Sequence, residues 1–147
     1  MSLRGRRRIL AGIGALALAG LNAPRAHAMS AQARAAWQAI TGGRTPRAGR
    51  VALEIPTLAE NGNSVPLRVA VEGPGRVLRL HLLSEENPRP VIASVSFGAR
   101  AGRRVLVTRI RLAATQRVHA IAEFDDGSLW LDSKDVSVTV AACYDGS

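Results

Sequence analysis

Seven residues in the middle of the chain alternate in polarity, and they read Val77-Leu78-Arg79-Leu80-His81-Leu82-Leu83. Successive side chains of an extended strand point to opposite faces, so the alternate leucines share one face while Arg79 and His81 share the other. The same period of two recurs in residues 105–112 and 136–140. Strands with one apolar face are typical of antiparallel sheets that cover a core on one side and meet water on the other.

Eight short segments after residue 50 have the composition of strands, and turn residues separate them. The predicted strands are Val51–Ile55, Val65–Val71, Val77–Leu83, Val91–Phe97, Val105–Leu112, Val118–Phe124, Leu129–Leu131 and Val136–Val140. The breaks are rich in Gly, Pro, Asn and Asp, as in residues 60–63 and 125–127, which is typical of turns. This pattern predicts an all-β fold, an immunoglobulin-like antiparallel β-sandwich over residues 51–140.

A short N-terminal helix and a linker are predicted ahead of the sandwich, in residues 29–50. Apolar side chains recur at helical spacing between Ser30 and Ile40. Ser30 is a suitable N-cap, and Gly42-Gly43 is a suitable end. Residues 45–49 contain Pro and Gly and are therefore interpreted as the linker.

Residues 1–28 have the layout of an export signal. Arg6-Arg7 belongs to a basic start, the uncharged stretch Ile9–Leu21 follows, and Ala26-His27-Ala28 is a small-x-small cleavage signal. The apolar stretch is shorter than the roughly 20 residues of a membrane-spanning helix, so no stable membrane insertion is expected. The paired arginines resemble a twin-arginine signal. A general secretory signal and a basic N-terminal helix of the mature protein are the alternatives. We expect a periplasmic protein.

The positive charge of the chain is concentrated in its N-terminal segment. The sequence has 20 basic and 11 acidic residues, a net charge of +9, and five arginines lie in the first 28 residues. The remainder has 15 basic against 11 acidic residues, or +4. Its arginines are scattered and not clustered with aromatic residues, so no nucleic-acid partner is expected. A composition of 47% hydrophobic and 21% charged residues excludes wholesale disorder.

Few residues suggest catalysis or metal binding. His81 and His119 each lie within a predicted strand, with no Cys or Asp at metal-ligand spacing, so we expect surface histidines. Asp125-Asp126 precedes a glycine and is interpreted as a turn. The motifs of serine hydrolases, phosphate-binding loops and zinc proteases do not occur. The sequence predicts no metal, no cofactor and no catalytic residue, and the protein is not expected to be an enzyme.

The one cysteine of the chain, Cys143, has only four residues after it. A lone thiol cannot form an internal disulfide in an oxidising compartment and therefore calls for a reason. A buried small hydrophobe is the alternative, but chain ends are seldom buried. Continued alternation would also place Cys143 on the polar face with Ser137 and Thr139. We therefore expect an exposed thiol. The three residues from Val140 to Cys143 would span about 10 Å when extended.

Five separated stretches of the chain carry a resemblance to a known family. They are Glu60-Asn61-Gly62-Asn63-Ser64-Val65-Pro66, Glu86-Asn87-Pro88-Arg89-Pro90-Val91-Ile92-Ala93, Thr108-Arg109-Ile110-Arg111-Leu112-Ala113, Asp126-Gly127-Ser128-Leu129-Trp130 and residues 134–143. In this order they resemble the SoxY subunit of the SoxYZ sulfur carrier of bacterial sulfur oxidation. The likeness covers essentially the whole predicted mature chain and includes the export signal.

The resemblance implies a carrier that performs no catalysis itself. In that family a cysteine near the C-terminus holds the substrate covalently, first as a conjugate with thiosulfate, and this cysteine corresponds to Cys143. The resemblance also implies a heterodimer with a SoxZ-like subunit and visits to periplasmic sulfur-oxidation enzymes. An interaction or structural module with an incidental cysteine is one alternative. An enzyme with a Cys143 nucleophile is another.

The predicted carrier arm, residues 141–147, departs from the family pattern. The usual ending is Gly-Gly-Cys-Gly-Gly, whereas this chain ends in Ala141-Ala142-Cys143-Tyr144-Asp145-Gly146-Ser147. Alanine has fewer accessible backbone conformations than glycine, so we expect a stiffer arm. Tyr144 adds bulk and Asp145 adds a negative charge beyond the thiol. A divergent paralogue that carries another sulfur compound is therefore a third alternative.

Overall fold

The computed structural model describes residues 28–143 of the 147-residue chain. This range contains one helix and nine strands. In chain order they are α1 (Ala31–Thr41), β1 (Arg47–Ala48), β2 (Val51–Glu54), β3 (Leu58–Asn61), β4 (Val65–Val71), β5 (Val77–Ser84), β6 (Val91–Val95), β7 (Val105–Ile110), β8 (Gln116–Phe124) and β9 (Leu129–Val140). Apart from Ala28, the predicted export signal lies outside the described residues.

Two sheets face each other across one apolar core. The larger sheet has the order β1-β9-β8-β5-β6, with β3 also paired to β9, and the smaller sheet has the order β2-β4-β7. Leu80 and Leu82 of β5 lie beside Ala122 and Ala120 of β8 on the inner face. All four side chains are buried in the core. The predicted immunoglobulin-like sandwich with a short N-terminal helix is confirmed.

Strand β9 is longer than predicted and carries two short parallel neighbours on one edge. The two strands predicted at 129–131 and 136–140 form one strand of 12 residues. The polar residues between them do not interrupt it, because Ser133 and Asp135 find partners on β8. Strand β1 pairs parallel with the first half of β9, and β3 pairs parallel with its second half. The sheet is therefore not antiparallel throughout.

The chain leaves the larger sheet between β1 and β3, where β2 joins the smaller one. An Asp132 carboxylate oxygen on β9 accepts a hydrogen bond of 2.8 Å from the backbone N–H of Leu53 on β2. This side chain satisfies a backbone donor that the strand ladder does not reach. The hydrogen bond also connects the two sheets, since β2 and β9 belong to different ones.

Helix α1 begins and ends as predicted. The Ser30 hydroxyl accepts a hydrogen bond of 3.1 Å from the Ala33 N–H. Gly42 has the left-handed φ of 58° and donates its N–H to the Gln38 carbonyl. Both contacts satisfy backbone groups that a helix end leaves unpaired. No helix in residues 28–143 is long and apolar enough to span a membrane.

A β-bulge in β5 changes the expected apolar face of this strand. The register with β8 shifts between Val77 and Arg79. Val77 is therefore buried in the core, whereas Leu78, which we expected on the core face, is 38% exposed. The extra residue of a bulge is left outside the regular alternation.

Candidate functional site

Cys143 is exposed and is the last residue that the structure describes. Its exposure agrees with the sequence-based expectation. No side chain within residues 28–143 makes a hydrogen bond or an ion pair with its sulfur. The thiol therefore faces solvent, where it can react with a sulfur compound. The predicted arm residues Tyr144, Asp145 and Gly146 lie outside the described residues.

The two residues before Cys143 differ in their contact with the domain. Ala141 is exposed, whereas Ala142 is only 7% exposed. The Ala142 N–H donates a hydrogen bond of 3.0 Å to the carbonyl of Leu112, which lies just after β7. The last backbone anchor of the described chain is thus one residue before the thiol. The reach from the domain to Cys143 is one residue and not the three that we expected.

Three backbone hydrogen bonds hold this part of the chain. The Gly62 N–H donates to the Val140 carbonyl at 2.7 Å, and the Leu112 N–H donates to the Gly62 carbonyl at 2.8 Å. The third bond is the one from Ala142 to Leu112. They join the turn after β3, the loop after β7 and the end of β9. We call these three bonds the tail clamp.

Residue 62 must be glycine for the tail clamp to close. A Cβ atom at Gly62 would overlap the Leu112 carbonyl oxygen, which is the acceptor for Ala142. The same Cβ would lie 3.0 Å from the Ala142 nitrogen and 3.0 Å from a Val138 methyl carbon. A larger residue would therefore separate the loop after β7 from the tail.

Two buried amide side chains fix the loop that supplies Leu112. Asn87 donates to the Arg111 carbonyl at 2.8 Å and accepts from the Ala113 N–H at 2.9 Å. Gln116 donates to the Asn87 side-chain oxygen at 2.9 Å. Asn87 and Gln116 are each 3% exposed. Because these contacts bracket Leu112 on both sides, they set the direction of its carbonyl group.

The expectation of surface histidines is wrong, because helix α1 covers the outer face of the larger sheet. His81 and His119 are only 7% and 5% exposed. The ring of Trp37 on α1 meets the ring of His119 edge-on, with centroids 5.2 Å apart. Alternation correctly places both histidines opposite the core face. It gives no sign of the helix that packs over them.

His119 belongs to a closed polar cluster. Its Nε2 lies 2.9 Å from a carboxylate oxygen of Glu85, and its Nδ1 lies 2.7 Å from the Ser133 hydroxyl. A neutral ring satisfies both contacts if Nε2–H donates to the carboxylate and Nδ1 accepts from the hydroxyl. Burial lowers the pKa of His119 below 6.5, against the opposing effect of Glu85. Every polar atom of this ring has a structural partner.

His81 has a similar structural contact. Its Nδ1 lies 2.8 Å from the Ser94 hydroxyl on β6. Burial lowers its pKa below 6.5, and nearby Glu123 opposes this shift. A cleft of about 330 Å³ between α1 and the sheet borders His81, Ser94 and Arg79. None of the residues that form the tail clamp lines this cleft.

The other sequence candidates have structural roles. In the turn after β8, an Asp126 carboxylate oxygen accepts from the Ser128 N–H at 2.8 Å, and Gly127 has a φ of 79°. Asp125-Asp126 is thus part of a turn, as predicted. Within residues 28–143, no group of three His, Cys, Asp or Glu side chains is arranged to hold a metal ion.

The tail clamp was not predicted from the sequence. Gly62 was expected in a turn, and strand β3 was not among the predicted strands. The sequence does contain Asn61-Gly62, a turn pair, ahead of a predicted strand. This pair does not reveal that Leu112 and Ala142 meet at this glycine, because the three positions are far apart in sequence.

The fold and sequence are similar to those of known proteins. The sulfur carrier protein SoxY from Chlorobium limicola f thiosulfatophilum has 25% sequence identity and a TM-score of 0.63, with 74% of this chain and 97% of that chain covered. A superoxide reductase (neelaredoxin) from Ignicoccus hospitalis has 18% identity and a TM-score of 0.54, with 61% and 80% covered. At that identity the second likeness shows a shared fold alone. No curated protein sequence matches this chain.

The family profile of the sulfur oxidation protein SoxY matches residues 37–143. The match begins in helix α1 and ends at Cys143 itself. It therefore includes the sandwich, the tail clamp and the exposed thiol. This chain belongs to the SoxY family of sulfur oxidation proteins.

Proposed function

We propose that this protein is a periplasmic sulfur carrier that holds sulfur intermediates covalently on Cys143 and presents them to partner enzymes. One observation carries the proposal: the only thiol of the chain is exposed, one residue beyond the last anchored residue of the described chain. The solved SoxY from Chlorobium limicola is itself described as a sulfur carrier protein. A thiol in this position can enter a partner's cleft without unfolding of the sandwich.

The chemistry of attachment requires a partner with an electron acceptor. Joining the Cys143 sulfur to the outer sulfur of thiosulfate forms one S–S bond and releases the thiol proton and two electrons. This chain has no second cysteine to take up those electrons. An enzyme with a redox centre must therefore accept them while it holds both sulfur atoms. Later enzymes would remove the oxidised sulfur by attack on the bound group.

The surroundings of Cys143 in the described residues are compatible with a carrier. A nucleophilic cysteine enzyme has a base within hydrogen-bond reach of its thiol. No described residue contacts the Cys143 sulfur in this way, and His119 has both ring nitrogens occupied by Glu85 and Ser133. The protein therefore contributes position, and activation of the thiol falls to the enzyme that binds it.

Mass spectrometry of protein from its native periplasm tests the proposal. Cleavage after Lys134 releases residues 135–147, a peptide that contains Cys143 and no other cysteine. We expect an added sulfur-containing mass on this peptide that a reducing agent removes. Protein with the Cys143→Ser substitution, isolated from the same cells, is the control and should lack it. A peptide that is always unmodified in sulfur-oxidising cells would contradict covalent carriage. An adduct other than a thiosulfate derivative would identify a paralogue with another cargo.

We also propose a heterodimer with a SoxZ-like subunit. Within residues 28–143, strand β7 pairs only with β4 and so forms an edge of the smaller sheet, and Val107 on this strand is 71% exposed. Long exposed edges are usually covered in native proteins. Co-expression with a SoxZ-like protein and size-exclusion chromatography should give a stable 1:1 complex. Elution of this chain as a monomer in the presence of that protein would contradict the assembly.

Export by the twin-arginine route remains part of the proposal, although its signal lies outside the described residues. A reporter that folds before transport, fused to residues 1–28, should reach the periplasm. Replacement of Arg6 and Arg7 by lysine should block this transport. If export continues through the general secretory channel, the route is wrong and the compartment stands. If the reporter stays in the cytoplasm, both are wrong.

A further inference from the structure

The tail clamp determines how far the thiol can reach. With the clamp closed, Cys143 is one residue from its anchor, an extended reach of about 3.5 Å. With the Ala142 hydrogen bond broken, the nearest anchor becomes Val140, and the reach grows to three residues, or about 10 Å. The difference decides whether a partner's cleft must meet the surface of the sandwich or can hold the sulfur deeper.

We propose that the tail clamp is a positioning device with two states, closed and open, and that Gly62 is the positioning residue that permits the closed state. This inference rests on the proposed carrier function and specifies the geometry in which the thiol is presented. In the closed state the Ala142 N–H is bonded to Leu112 and the thiol is held at the surface. In the open state residues 141–143 extend into the partner.

Three features make the closed state specific and separable from the fold. Gly62 leaves room for the Leu112 carbonyl oxygen, which a Cβ at this position would overlap. The loop that carries Leu112 is fixed by the buried side chains of Asn87 and Gln116, so the acceptor stays in place when Ala142 leaves. The bond that opens lies beyond the end of β9, and its loss breaks no strand pairing.

The methyl group of Ala142 adds to the closed state. Ala142 is 7% exposed, so its side chain is packed against the domain. A glycine in its place would keep the N–H but lose this contact and gain backbone freedom. Ala142 thus favours the closed state, and partner docking supplies the interactions that open it.

A nitroxide spin label on Cys143 tests the device, because the protein has no other cysteine to be labelled. In Ala142→Pro the donor N–H is absent and the proline ring faces the Leu112 carbonyl. We expect a several-fold shorter rotational correlation time of the label than in the wild-type protein, with an unchanged melting temperature. The matched control is Ala141→Pro, since Ala141 is exposed and its N–H makes no hydrogen bond within the described residues. Its label should stay as slow as in the wild type.

Two further variants separate the amide from the methyl group and from Gly62. Ala142→Gly retains the N–H and should stay slower than Ala142→Pro. Gly62→Ala, in which the amide is present but blocked, should resemble Ala142→Pro. Equal label mobility in Ala142→Pro and Ala141→Pro would overturn the clamp even if Gly62→Ala fails to fold.

This experiment uses neither a sulfur substrate nor a partner enzyme, so the two proposals fail separately. If the mobility of the label in Ala142→Pro is unchanged, the tail-clamp proposal is contradicted and the proposal of covalent carriage still stands. If the wild-type protein never acquires sulfur, covalent carriage is contradicted and the tail-clamp proposal still stands. With a partner enzyme, Ala142→Pro should change KM more than kcat, because the substitution alters presentation of the thiol and not its chemistry.

Discussion

The face of the larger sheet under helix α1 and the end of β9 differ in the groups they hold. The covered face holds His81, His119, Glu85 and Ser133, which are the residue types most often found in catalytic sites. All four have internal hydrogen-bond partners or a packed cover. The end of β9 holds a single thiol, Cys143, which has no side-chain partner in the described chain and follows a segment held by backbone hydrogen bonds.

The difference shows that reactive residue types indicate a functional site only when their reactive atoms are accessible to a substrate. The His119 ring uses both nitrogens inside the protein, in contacts with Glu85 and Ser133, and its packing against Trp37 stabilises the attachment of α1. Cys143 has its sulfur in solvent, and the protein controls only where it is placed. For a carrier this separation is useful, because the sulfur chemistry can change from one enzyme to the next while the sandwich stays the same.

The largest expected effect on stability comes from His119→Ala. The substitution removes the contact with Trp37 and leaves the buried Glu85 carboxylate without its partner. We expect a loss of about 3 kcal/mol in the free energy of unfolding, measured with urea. Arg117→Ala, on the same strand but in an exposed ion pair with Asp135, is the control and should lose less than about 1 kcal/mol. A His119→Ala protein that stays fully stable but loses sulfur carriage would reverse the roles of the two regions.

A smaller loss in the free energy of unfolding is expected for Gly62→Ala, in the tail clamp at the end of β9. The added methyl group overlaps the Leu112 carbonyl, and such overpacking costs about 1–3 kcal/mol. Gly102→Ala is the control, because nothing lies within 4 Å of the position of its Cβ. Equal urea midpoints for the two variants would show that the contact at Gly62 is not tight.

Acidification should destabilise the protein through the two histidines of the covered face. The pKa values of His81 and His119 are lowered in the folded protein, chiefly by burial. Below the unfolded pKa of about 6.5, the unfolded chain therefore binds protons that the folded chain excludes. The free energy of unfolding should fall as pH decreases below about 6.5, with a slope of up to about 1.4 kcal/mol per pH unit for each histidine.

Urea titrations from pH 8 to pH 5 measure this slope, and His81→Gln should reduce it. Carboxylates elsewhere add their own slope at lower pH, so the window between pH 7 and pH 5.5 is the informative one. Stability that rises on acidification through this window would show that the histidines are charged in the folded state. In that case the covered face would be held together by ion pairs between charged histidines and carboxylates.

The smallest expected effect on stability is that of Cys143→Ser. The side chain is exposed and follows the last anchored residue, so the free energy of unfolding should change by no more than about 0.5 kcal/mol. The thiol of the folded wild-type protein should alkylate at nearly the rate of a short peptide. Slow alkylation together with clear destabilisation by serine would place the cysteine in a structural role.

The sequence predicted the parts of the fold that depend on local pattern. Ser30 and Gly42 mark the ends of α1, and the alternation in β5 identifies a half-buried strand. Strand β3 could not be predicted, because its four residues become a strand only beside β9. The exposed Cys143 was predictable from its position near the chain end. The tail clamp was not, since the fit at Gly62 depends on segments 50 to 80 residues away.

Uptake of labelled sulfur tests the central claim most directly. Cells that oxidise thiosulfate would receive thiosulfate with radioactive outer sulfur, and the wild-type and Cys143→Ser proteins would be purified without reductant. We expect label on the wild-type protein, its release by dithiothreitol, and none on the folded Cys143→Ser protein. Equal label on both proteins, or none on the wild type while the cells consume thiosulfate, would contradict a covalent thiosulfate carrier on Cys143.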